Sequence, residues 1–545
     1  MSSTMEAISE DDEVEPSVSW FCCLSYSSSG KNTTTKNGGN TARAMPEGHK
    51  DNGRPSMDNR RGHSVYVSAR DFLGEDELAA LKEFEEAVVM ANGGDESLYY
   101  DALDQDHNNN NQSEEMPYAP AQVADPRPRG SLSMEDPNSL LLKELTKPRV
   151  NVALAGYPGN LTPQELNACQ QFRAELKKRK RASPEGSIWE EVVRIYNPVE
   201  TEPYALCRFL RARQFNVDKV MDMIADTFDI WREARKHDYF PDPNEALGAP
   251  VNVLLSQLPT LYAGCAKNGA PVAYAKARDL SIEGIECVTE LSRIEKYAWF
   301  AILHKFKAQV ARAQQMNPNV VRCEAIQVVD LKGLNASALN KRTLECLQNL
   351  INVNKCFPEV LNSMVILNAP RFFTFAWRVI KTMLDPRTAS KVVMFSSEKE
   401  GIEWMMERID KSELLSDYGG TGDSFEDVMN KQNVGSAAKR QVVKLFSITQ
   451  RTNNASMAFS LTTEETATFT VYTRSAVGAG FELWKGGQKV ADASVDGSKL
   501  RGSEGTPVPI QGILFTDVQG PGEFSIKSKG KSGQTDHFVV AGEVF

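Results

Sequence analysis

Apolar residues recur every three or four positions between residues 156 and 240, which is the spacing of a helix face packed on a core. In "LTPQEL", Thr162, Pro163 and Glu165 predict a helix start, because threonine and glutamate form a capping box and proline fits the first helical position. Asn216 predicts the N-cap of a later helix. Helices are also predicted around "IWEEVVRIY" and over "EPYALCRFLRARQF". Residues 156–240 are therefore expected to form a compact helical unit.

Residues 241–424 alternate between strand-like and helix-like patterns. Short apolar runs predict strands at "APVAYAKA", "AIQVVDLKG", "SMVILNA" and "KVVMF". A long helix is expected after Thr289 through "LSRIEKYAWFAILHKFKAQVA", and another over "NKRTLECLQNLINVNKCF". Alternation of this kind predicts an α/β domain with a largely parallel, buried sheet.

The pattern changes again after a polar linker predicted over residues 425–440. Residues 441–545 alternate apolar and polar positions in short segments separated by Gly, Pro and Ser clusters. Gly486 and Gly487 are expected to form a tight hairpin turn. Short alternating strands over this length predict a β-sandwich. The fold class is thus multidomain, α/β plus all-β, with the α/β domain between a helical module and a C-terminal sandwich.

Residues 1–155 are predicted to be mostly disordered, because acidic and polar tracts such as "SSSGKNTTTKNGGNT" cannot bury enough apolar surface to fold. One exception is residues 76–91, an amphipathic helix candidate that either docks a partner or forms only transiently. Cys22 and Cys23 lie beside two aromatic residues. They either carry palmitoyl groups that add a membrane anchor or belong to an ordinary polar tail.

Composition and charge narrow the classes of function. The 545 residues carry a formal net charge of -10, which argues against general nucleic-acid binding. No apolar run reaches the roughly 18 residues of a membrane-spanning helix, and the N-terminus lacks a secretory pattern. The 9 cysteines and 6 histidines are scattered, so we expect reduced thiols in the cytoplasm and neither a metal site nor a disulfide framework.

The segment 371–383 is unusually apolar for a surface helix. Its polar residues form one stripe, and apolar residues cover the rest of the circumference. Periodicity alone leaves two interpretations open. The segment is either a helix buried in a large core or a helix that packs on protein in a closed state and meets lipid in an open one.

Five motifs occur in order between about residues 200 and 420: "LCRFLRARQFNVDKV", "VVDLKG", "CFPEV", "VILNAP" and "LDPRTASKV". In sequence and spacing they resemble the CRAL-TRIO family of phosphatidylinositol-transfer proteins. The resemblance implies a sheet that floors a cavity holding one lipid, with no cofactor besides that ligand, and a gate helix over 371–383. The gate residues implied are Phe372, Phe373, Phe375, Trp377, Ile380 and Met383.

The resemblance also implies a headgroup site. The family's contacts to an inositol lipid match Arg213, Glu359, Thr388 and Lys391. A phosphodiester anion with several hydroxyls needs a fixed cation, hydroxyl donors and a carboxylate acceptor, which these side chains supply. The alternative interpretation is that Lys391 and Glu359 form a structural ion pair and that Thr388 caps a turn.

A second ligand is less well defined by the resemblance. Some members of the family bind phosphatidylcholine through small hydroxyl residues on the strand before "DLKG" and through two tyrosines near the cavity. This chain has Ala325 and Gln327 on that strand, and Ala273 replaces one tyrosine, so that only Tyr262 persists. We therefore expect another hydrophobic lipid rather than a choline lipid as a second cavity ligand.

The basic run "KKRKR" comprises Lys177, Lys178, Arg179, Lys180 and Arg181. It either contacts an anionic membrane surface or is a solvated helix end that complements the helix dipole. The order of an α/β lipid domain before a sandwich resembles the patellin-like layout, in which the last domain is of the GOLD type. That layout implies a protein partner for the sandwich and a role in membrane trafficking.

The sequence leaves two classes of function open and argues against a third. The first is a cytoplasmic lipid-transfer protein, peripheral at Golgi, endosomal or plasma membranes, that loads phosphatidylinositol and supports phosphoinositide signalling or vesicle traffic. The second is a lipid-sensing adaptor that recruits partners through the sandwich and the tail, without bulk transfer. An enzyme is not expected, because the sequence contains no G-x-S-x-G, P-loop or H-E-x-x-H motif.

Overall fold

The computed structural model describes residues 137–334, 341–373, 377, 381, 386–433, 438–448, 456–475, 478–495, 509–529 and 536–545. The amphipathic segment 76–91 and the Cys22–Cys23 pair lie outside the described residues. The first described element, helix α1 at Pro137–Thr146, falls in the region predicted to be mostly disordered. It is held because Leu141 and Leu145 are buried in the core of the helical unit.

The helical unit packs five helices together, and its helix starts follow the sequence. Thr162 and Glu165 form the predicted capping box, and the side chain of Asn216 accepts a hydrogen bond from the backbone N–H of Lys219. Both predicted caps are therefore confirmed. The helices are α1, α2 (Pro163–Ala182), α3 (Ser187–Val193), α4 (Glu202–Ala212) and α5 (Val217–Arg235).

The central domain contains the predicted α/β sheet. Within the described residues, five strands lie in the order β1-β2-β3-β4-β5. Strands β2 to β5 are parallel, and β1 is an antiparallel edge strand, so the prediction of a largely parallel sheet is confirmed. The strands are β1 (Thr260–Cys265), β2 (Pro271–Lys276), β3 (Ala325–Asp330), β4 (Leu361–Leu367) and β5 (Val392–Met394).

Helices surround this sheet. They are α6 (Pro243–Leu247), α7 (Val251–Leu255), α8 (Ile282–Val288), α9 (Ile294–Trp299), α10 (Phe306–Met316), α11 (Lys341–Asn354), α12 (Pro386–Ala389), α13 (Glu398–Arg408) and α14 (Phe425–Asn433). A π-helical segment, Phe300–Lys305, joins α9 to α10, so the long helix predicted after Thr289 is widened near its middle. Such π-bulges are frequently found at functional sites.

The register of the sheet aligns five residues in one row across all its strands. Tyr262 pairs with Ala273, Ala273 with Gln327, Gln327 with Met364, and Met364 with Val392. Because side chains alternate between the faces of a strand, residues of one row share a face of the sheet. On the opposite face, the rings of Tyr274 and Tyr418 stack with centroids 5.7 Å apart.

The segment 425–440, predicted as a polar linker, is structured in its described part. Helix α14 occupies Phe425–Asn433, and strand β6 already begins at Arg440. Phe425 and Met429 are buried against the α/β domain. The helix forms because it is packed at this position, and its short polar sequence gives little helical signal of its own.

The C-terminal domain consists of two antiparallel four-stranded sheets in the described residues, in the orders β10-β9-β12-β7 and β11-β8-β13-β6. The predicted β-sandwich is thus confirmed, and so is the turn at Gly486–Gly487, which joins β9 to β10 with both glycines at positive φ. The strands are β6 (Arg440–Ile448), β7 (Ser456–Leu461), β8 (Thr466–Thr473), β9 (Ala479–Lys485), β10 (Gln488–Val495), β11 (Ile510–Gln519), β12 (Gly522–Lys529) and β13 (Asp536–Val544). The resemblance to the GOLD type stays a prediction.

One outer face of the sandwich packs against the α/β domain. Tyr472, Val539 and Ala541 belong to the core of the central domain, whereas the neighbouring Val540 points into the core of the sandwich. Helix α8 meets this face, and the Cys287 thiol donates to the backbone carbonyl of His537 at 3.2 Å. The two domains therefore share a continuous apolar interface.

Candidate functional site

Lys391 lies immediately before β5, at the edge of the sheet opposite β1. Its ammonium group donates to the backbone carbonyl of Leu361 at 2.6 Å and to Oε2 of Glu359 at 3.3 Å. The lysine side chain is about one-fifth exposed. Lysine can therefore precede a strand here, because its ammonium group donates to the carbonyl of Leu361 at the start of the neighbouring strand β4.

The carboxylate of Glu359 forms ion pairs with two basic side chains. The Arg387 guanidinium lies 2.6 Å from its Oε1, and the Lys391 ammonium lies on its other oxygen. The carboxylate side chain is 8% exposed, and the residue has a left-handed backbone with a φ of 61°. Two positive groups that share one buried carboxylate leave this cluster with one net positive charge.

Thr388 lies between Arg387 and Lys391 in the sequence, and its side chain is buried on the short helix α12. Its backbone carbonyl accepts a hydrogen bond from the N–H of Lys391, and Ser390 closes the same turn by donating to the carbonyl of Arg387. This turn fixes the spacing of Arg387 and Lys391 around the carboxylate. The structure therefore brings Lys391 and Glu359 into contact, places Thr388 in the adjoining turn and adds Arg387; this arrangement fits both the headgroup interpretation and the structural ion-pair interpretation, and the headgroup contacts stay a prediction.

Arg213 follows the last residue of helix α4, where its guanidinium donates to the carbonyl of Ala212 at 2.8 Å. The same helix reaches the segment that holds Glu359 through Arg208, which donates to the carbonyl of Pro358 at 3.0 Å. Arg208 is buried and paired with Glu200 at 2.9 Å. Although burial opposes its charge, Glu200 keeps the pKa of Arg208 above its ordinary value.

A second buried network fixes the start of strand β3. Glu324, 3% exposed, accepts hydrogen bonds from Arg322, Tyr157 and Asn362. Arg211 lies 3.8 Å from the same carboxylate. Burial alone would raise the pKa of Glu324, but the arginines hold it below its ordinary value. The ionised carboxylate therefore joins the helical unit to the sheet.

A cavity of about 70 Å³ lies between the sheet and the α9–α10 helix. Its walls come from β1, β2 and β3 on one side and from Tyr297, Ala301, Ile302 and Lys305 on the other. This volume corresponds to on the order of five water molecules and is smaller than the roughly 300–1,000 Å³ of typical ligand pockets. A whole phospholipid needs a wider chamber than this one.

Some of the predicted cavity residues line the cavity and others do not. Tyr262 and Gln327 line the cavity, and so does Ala273. Ala325 is buried at the start of β3, where its N–H donates to the carbonyl of Val360, and it is not among the lining residues. Lys391 likewise lies outside the lining.

The gate segment is described only in part. Phe373 is fully buried, and Phe372 and Trp377 are half-buried against the core. Phe375, Ile380 and Met383 lie outside the described residues. The described aromatic residues therefore pack on protein, as either interpretation of this segment requires.

The basic run at the end of helix α2 is engaged in part by nearby groups. Lys178 and Arg179 pair with Glu175, and Lys180 pairs with Glu190. The Arg179 guanidinium also lies 4.4 Å from the ring centroid of Trp189. Lys177 and Arg181 lie on the same helix. Both interpretations of the run stay open, because surface pairs of this kind are weak enough to exchange for other anions.

Sequence reasoning missed two basic residues. Arg387 sits in the same "DPRTASK" motif as Lys391, and counting the positive charges of that motif would have found it. Lys305 lines the cavity from the π-helical segment, and it carries no motif that marks it. In the described part of the chain, no cluster of three or more metal-binding side chains occurs, and no helix is long and apolar enough to cross a membrane.

Comparison with known proteins identifies the domains that hold this site. Residues 255–420 match the model of the CRAL/TRIO domain, and residues 168–226 match that of the CRAL/TRIO, N-terminal domain. Among relatives, the phosphatidylinositol/phosphatidylcholine transfer protein SFH7 of Arabidopsis thaliana is 29% identical over 224 residues, which are 41% of this chain and 40% of that protein. This chain therefore spans less than half the length of that relative.

Two fungal relatives are covered more completely. The CRAL-TRIO domain-containing protein YKL091C of Saccharomyces cerevisiae is 25% identical over 280 residues, which are 49% of this chain and 82% of that protein. The SEC14 cytosolic factor of Eremothecium gossypii is 24% identical over 275 residues, which are 50% of this chain and 82% of that protein. The two family models place the similarity in the helical unit and the α/β domain.

Proposed function

Because residues 168–226 and 255–420 belong to the CRAL/TRIO family, we propose that this protein binds and transfers a lipid, taking up phosphatidylinositol through its α/β domain. The names of several relatives, phosphatidylinositol/phosphatidylcholine transfer proteins, support a phospholipid cargo. The lipid would be exchanged at membrane surfaces and so supply phosphoinositide signalling or vesicle traffic.

The observation that carries the proposal is the net charge of the cluster around Glu359. Arg387 and Lys391 contribute two positive charges and the carboxylate one negative charge, and the carboxylate side chain is nearly buried. A phosphodiester headgroup carries one negative charge, so it would neutralise the cluster. The Glu359 oxygens and the Thr388 hydroxyl would then hydrogen-bond inositol hydroxyls, and bonds that involve charged groups are the stronger kind.

The acyl chains set the second requirement. Each buried methylene is worth about 0.8 kcal/mol relative to water, and a bilayer already provides this shelter. Extraction is therefore nearly isoenergetic only if the protein offers an equally dry apolar chamber. The existing cavity is too small for two chains, so loading requires its walls to move apart. The resemblance assigns this movement to the segment 371–383, whose Phe372 and Trp377 pack against the core.

Transfer between vesicles tests this function. Full-length protein is mixed with donor vesicles that contain fluorescent phosphatidylinositol and with unlabelled acceptor vesicles. The proposal expects the rate of transfer to rise in proportion to protein concentration, and it expects much slower transfer of fluorescent phosphatidylcholine. A rate for phosphatidylinositol equal to that of a protein-free control would refute it.

A lipid-sensing adaptor is the second candidate, and the interface between domains favours it. Helix α8 packs on the sandwich through Cys287 and also contacts helix α11, whose Leu350 lines the cavity. A change in cavity occupancy would thus reach the sandwich through two helices. In this version, the sandwich and the N-terminal region recruit protein partners, and transfer is slow even when the lipid is bound.

The site of action follows from the same proposal. A protein that exchanges lipid visits membranes from the cytoplasm. The basic run Lys177–Arg181 would then bind anionic headgroups, and each basic residue near the surface would contribute about 1 kcal/mol to the binding free energy. Golgi, endosomal and plasma membranes all present such surfaces. Replacement of Lys177 and Arg181 by glutamine should lower vesicle binding, and unchanged binding would support the helix-end interpretation.

A further inference from the structure

An open groove of about 520 Å³ runs between helices α1 and α2, on the side of the helical unit that carries the basic run. None of its lining residues is acidic, and the basic ones are Arg173, Lys177, Lys178 and Arg181. Arg173, Lys177 and Arg181 are spaced four residues apart on α2, so they share one face of the helix, where like charges repel. This groove therefore favours an anionic occupant.

Ion pairs within the helical unit compensate only part of this charge. The guanidinium of Arg173 donates to both carboxylate oxygens of Glu202, at 2.8 and 2.9 Å. Lys178 is paired with a glutamate one turn earlier on its own helix, at 3.3 Å. Lys177 and Arg181 have no carboxylate within 4.0 Å among the residues that the structure describes. Two positive charges of the groove are therefore left for an anion from elsewhere.

The part of the chain that precedes α1 leaves from this groove. Arg173 donates from Nη1 to the backbone carbonyl of Pro137 at 3.0 Å and to Oδ1 of Asn138 at 3.2 Å. Pro137 is the first residue of α1, so the chain before it starts beside a basic residue of the groove. On the same helix, Leu140 and Leu142 are 43% and 39% exposed. The helix that forms one wall thus also presents apolar surface.

Residues 76–91, the predicted amphipathic helix, have the complementary chemistry. They contain five acidic residues and one lysine, which gives a net charge of −4. Leu81, Phe84 and Val88 follow helical spacing on one face, and glutamates flank this stripe on both sides. An acidic helix with an apolar stripe fits a groove that combines four basic residues with exposed leucines.

The connection between this segment and the groove is long enough. The 45 residues 92–136 separate the segment from α1. A random-coil chain of this length has an end-to-end distance of about 34–40 Å. The 20 residues of α2 span about 30 Å, so the whole groove is within reach. Surface ion pairs are individually weak, but a tethered segment has an effective concentration on the order of millimolar. The contact is therefore favoured within one chain over contacts between dilute molecules.

We propose that the acidic segment 76–91 docks in the groove between α1 and α2 of its own chain, with its carboxylates on Lys177 and Arg181 and its apolar stripe against α1. The docked segment covers the basic run. An anionic bilayer competes with it for the same cations, so membrane binding displaces the segment. The docked contact stands on the groove and the segment alone, whereas the competition rests on the membrane contact of the proposed function.

Carbodiimide cross-linking of the full-length protein at low salt, which joins carboxylates to nearby amines, tests the docked contact. Isotopically light and heavy chains are mixed, so that links within one chain are told from links between chains. The proposal expects residues 76–91 to link to Lys177 or Lys178 within one chain, at least about fivefold more often than to Lys236. Lys236 is the matched control, because it is exposed on the same helical unit and, like Lys178, paired with a glutamate three residues earlier. Equal yields at Lys236, or links mainly between chains, would overturn the proposal.

Charge reversal tests the pairing, with the link between the segment and Lys178 as the readout. Glu83→Arg with Glu86→Arg changes only the segment and should lower the yield at least about fivefold. Lys177→Glu with Arg181→Glu should do the same. The combination of all four substitutions should return the yield to within about twofold of wild type, because the charges are complementary again. A combined variant that stays at the low yield would contradict the charge pairing.

Sedimentation with vesicles of phosphatidylcholine and phosphatidylserine tests the competition. Glu83→Gln with Glu85→Gln and Glu86→Gln should raise vesicle binding at least about threefold over wild type. Adding Lys177→Gln and Arg181→Gln should abolish this gain. Equal binding of the first variant and wild type would refute the competition. Absence of binding by both proteins would refute the membrane contact of the proposed function itself, while the cross-links would still establish the docked segment.

Discussion

The ammonium of Lys391 and the guanidinium of Arg387 bind opposite oxygens of one carboxylate, that of Glu359, at 3.3 and 2.6 Å. The three residues come from two segments, the loop before β4 and the turn before β5. Their shared geometry is held by the sheet, since the N–H of Met364 donates to the carbonyl of Lys391. The carboxylate is nearly buried, the Arg387 side chain is 46% exposed, and the three groups together carry one net positive charge.

The first prediction concerns headgroup selectivity. Glu359→Gln keeps the size of the side chain and raises the net charge of the cluster from one to two. We expect this variant to prefer headgroups with more negative charge, such as phosphatidic acid, over phosphatidylinositol by about tenfold relative to wild type. Competition between the two lipids in vesicle transfer measures this ratio, and an unchanged ratio would contradict the charge argument.

Much of the fold could be predicted because its signals are local. Thr162 and Asn216 mark helix starts by chemistry within four residues, and the Gly486–Gly487 turn requires positive φ at adjacent positions. Strand β6 could not be found in the same way. Val442 packs inside the sandwich while Val443 and Leu445 pack on the α/β domain, so both of its faces are apolar and the alternation is weak.

The residues of the candidate site show the same difference between local signals and contacts that form only in the folded protein. Thr388 and Lys391 were predicted from the resemblance, because their motif is short and contiguous, and their role stays a prediction. Arg387 was missed, since its role depends on Glu359, 28 positions earlier in the sequence and adjacent only in the folded protein. Lys305 was missed for a similar reason, because its place on the cavity wall and its contact with Gln432 arise only in the folded protein.

A second prediction concerns stability. Glu324→Gln would leave Arg322 and Arg211 near a neutral group inside the protein, so it should lower the free energy of unfolding by about 3–5 kcal/mol. Urea unfolding followed by fluorescence measures the change. The matched control is Glu175→Gln, whose surface ion pairs should cost less than about 1 kcal/mol. Equal effects of the two variants would contradict the assigned network.

A third prediction concerns pH. Burial lowers the pKa of His304, in the π-helical segment, from 6.5 to about 4. Between these values the unfolded chain binds a proton that the folded protein does not, so stability is full above pH 6.5 and is lost as the pH falls toward 4. Thermal unfolding of His304→Gln should lack this part of the pH dependence.

The control for this pH effect is His237→Gln, because His237 is half-exposed on the surface. That variant should follow the wild-type curve of melting temperature against pH. A His304→Gln curve that parallels the wild type between pH 7 and 5 would show that another group causes the acid sensitivity.

A fourth prediction separates the domains. Val539 faces the α/β domain and Val540 faces the interior of the sandwich, although the two are adjacent. Val539→Asp should detach the sandwich while leaving it folded, because a carboxylate is not tolerated in the apolar interface. Small-angle X-ray scattering should then report a larger radius of gyration with unchanged strand content.

Val540→Asp is the matched control, and it should unfold the sandwich, with loss of strand signal in circular dichroism. If Val539→Asp keeps the wild-type radius of gyration, the interface between the domains does not hold them together.

The central claim is that Lys391 helps hold the charged headgroup of a captured phosphatidylinositol. Native mass spectrometry of the full-length protein, incubated with mixed phosphatidylinositol and phosphatidylcholine vesicles, tests it most directly. The account predicts a complex with one phosphatidylinositol for wild type and for Lys399→Met, whose side chain is 85% exposed, and about tenfold lower occupancy for a folded Lys391→Met. Wild-type occupancy in Lys391→Met would contradict the account.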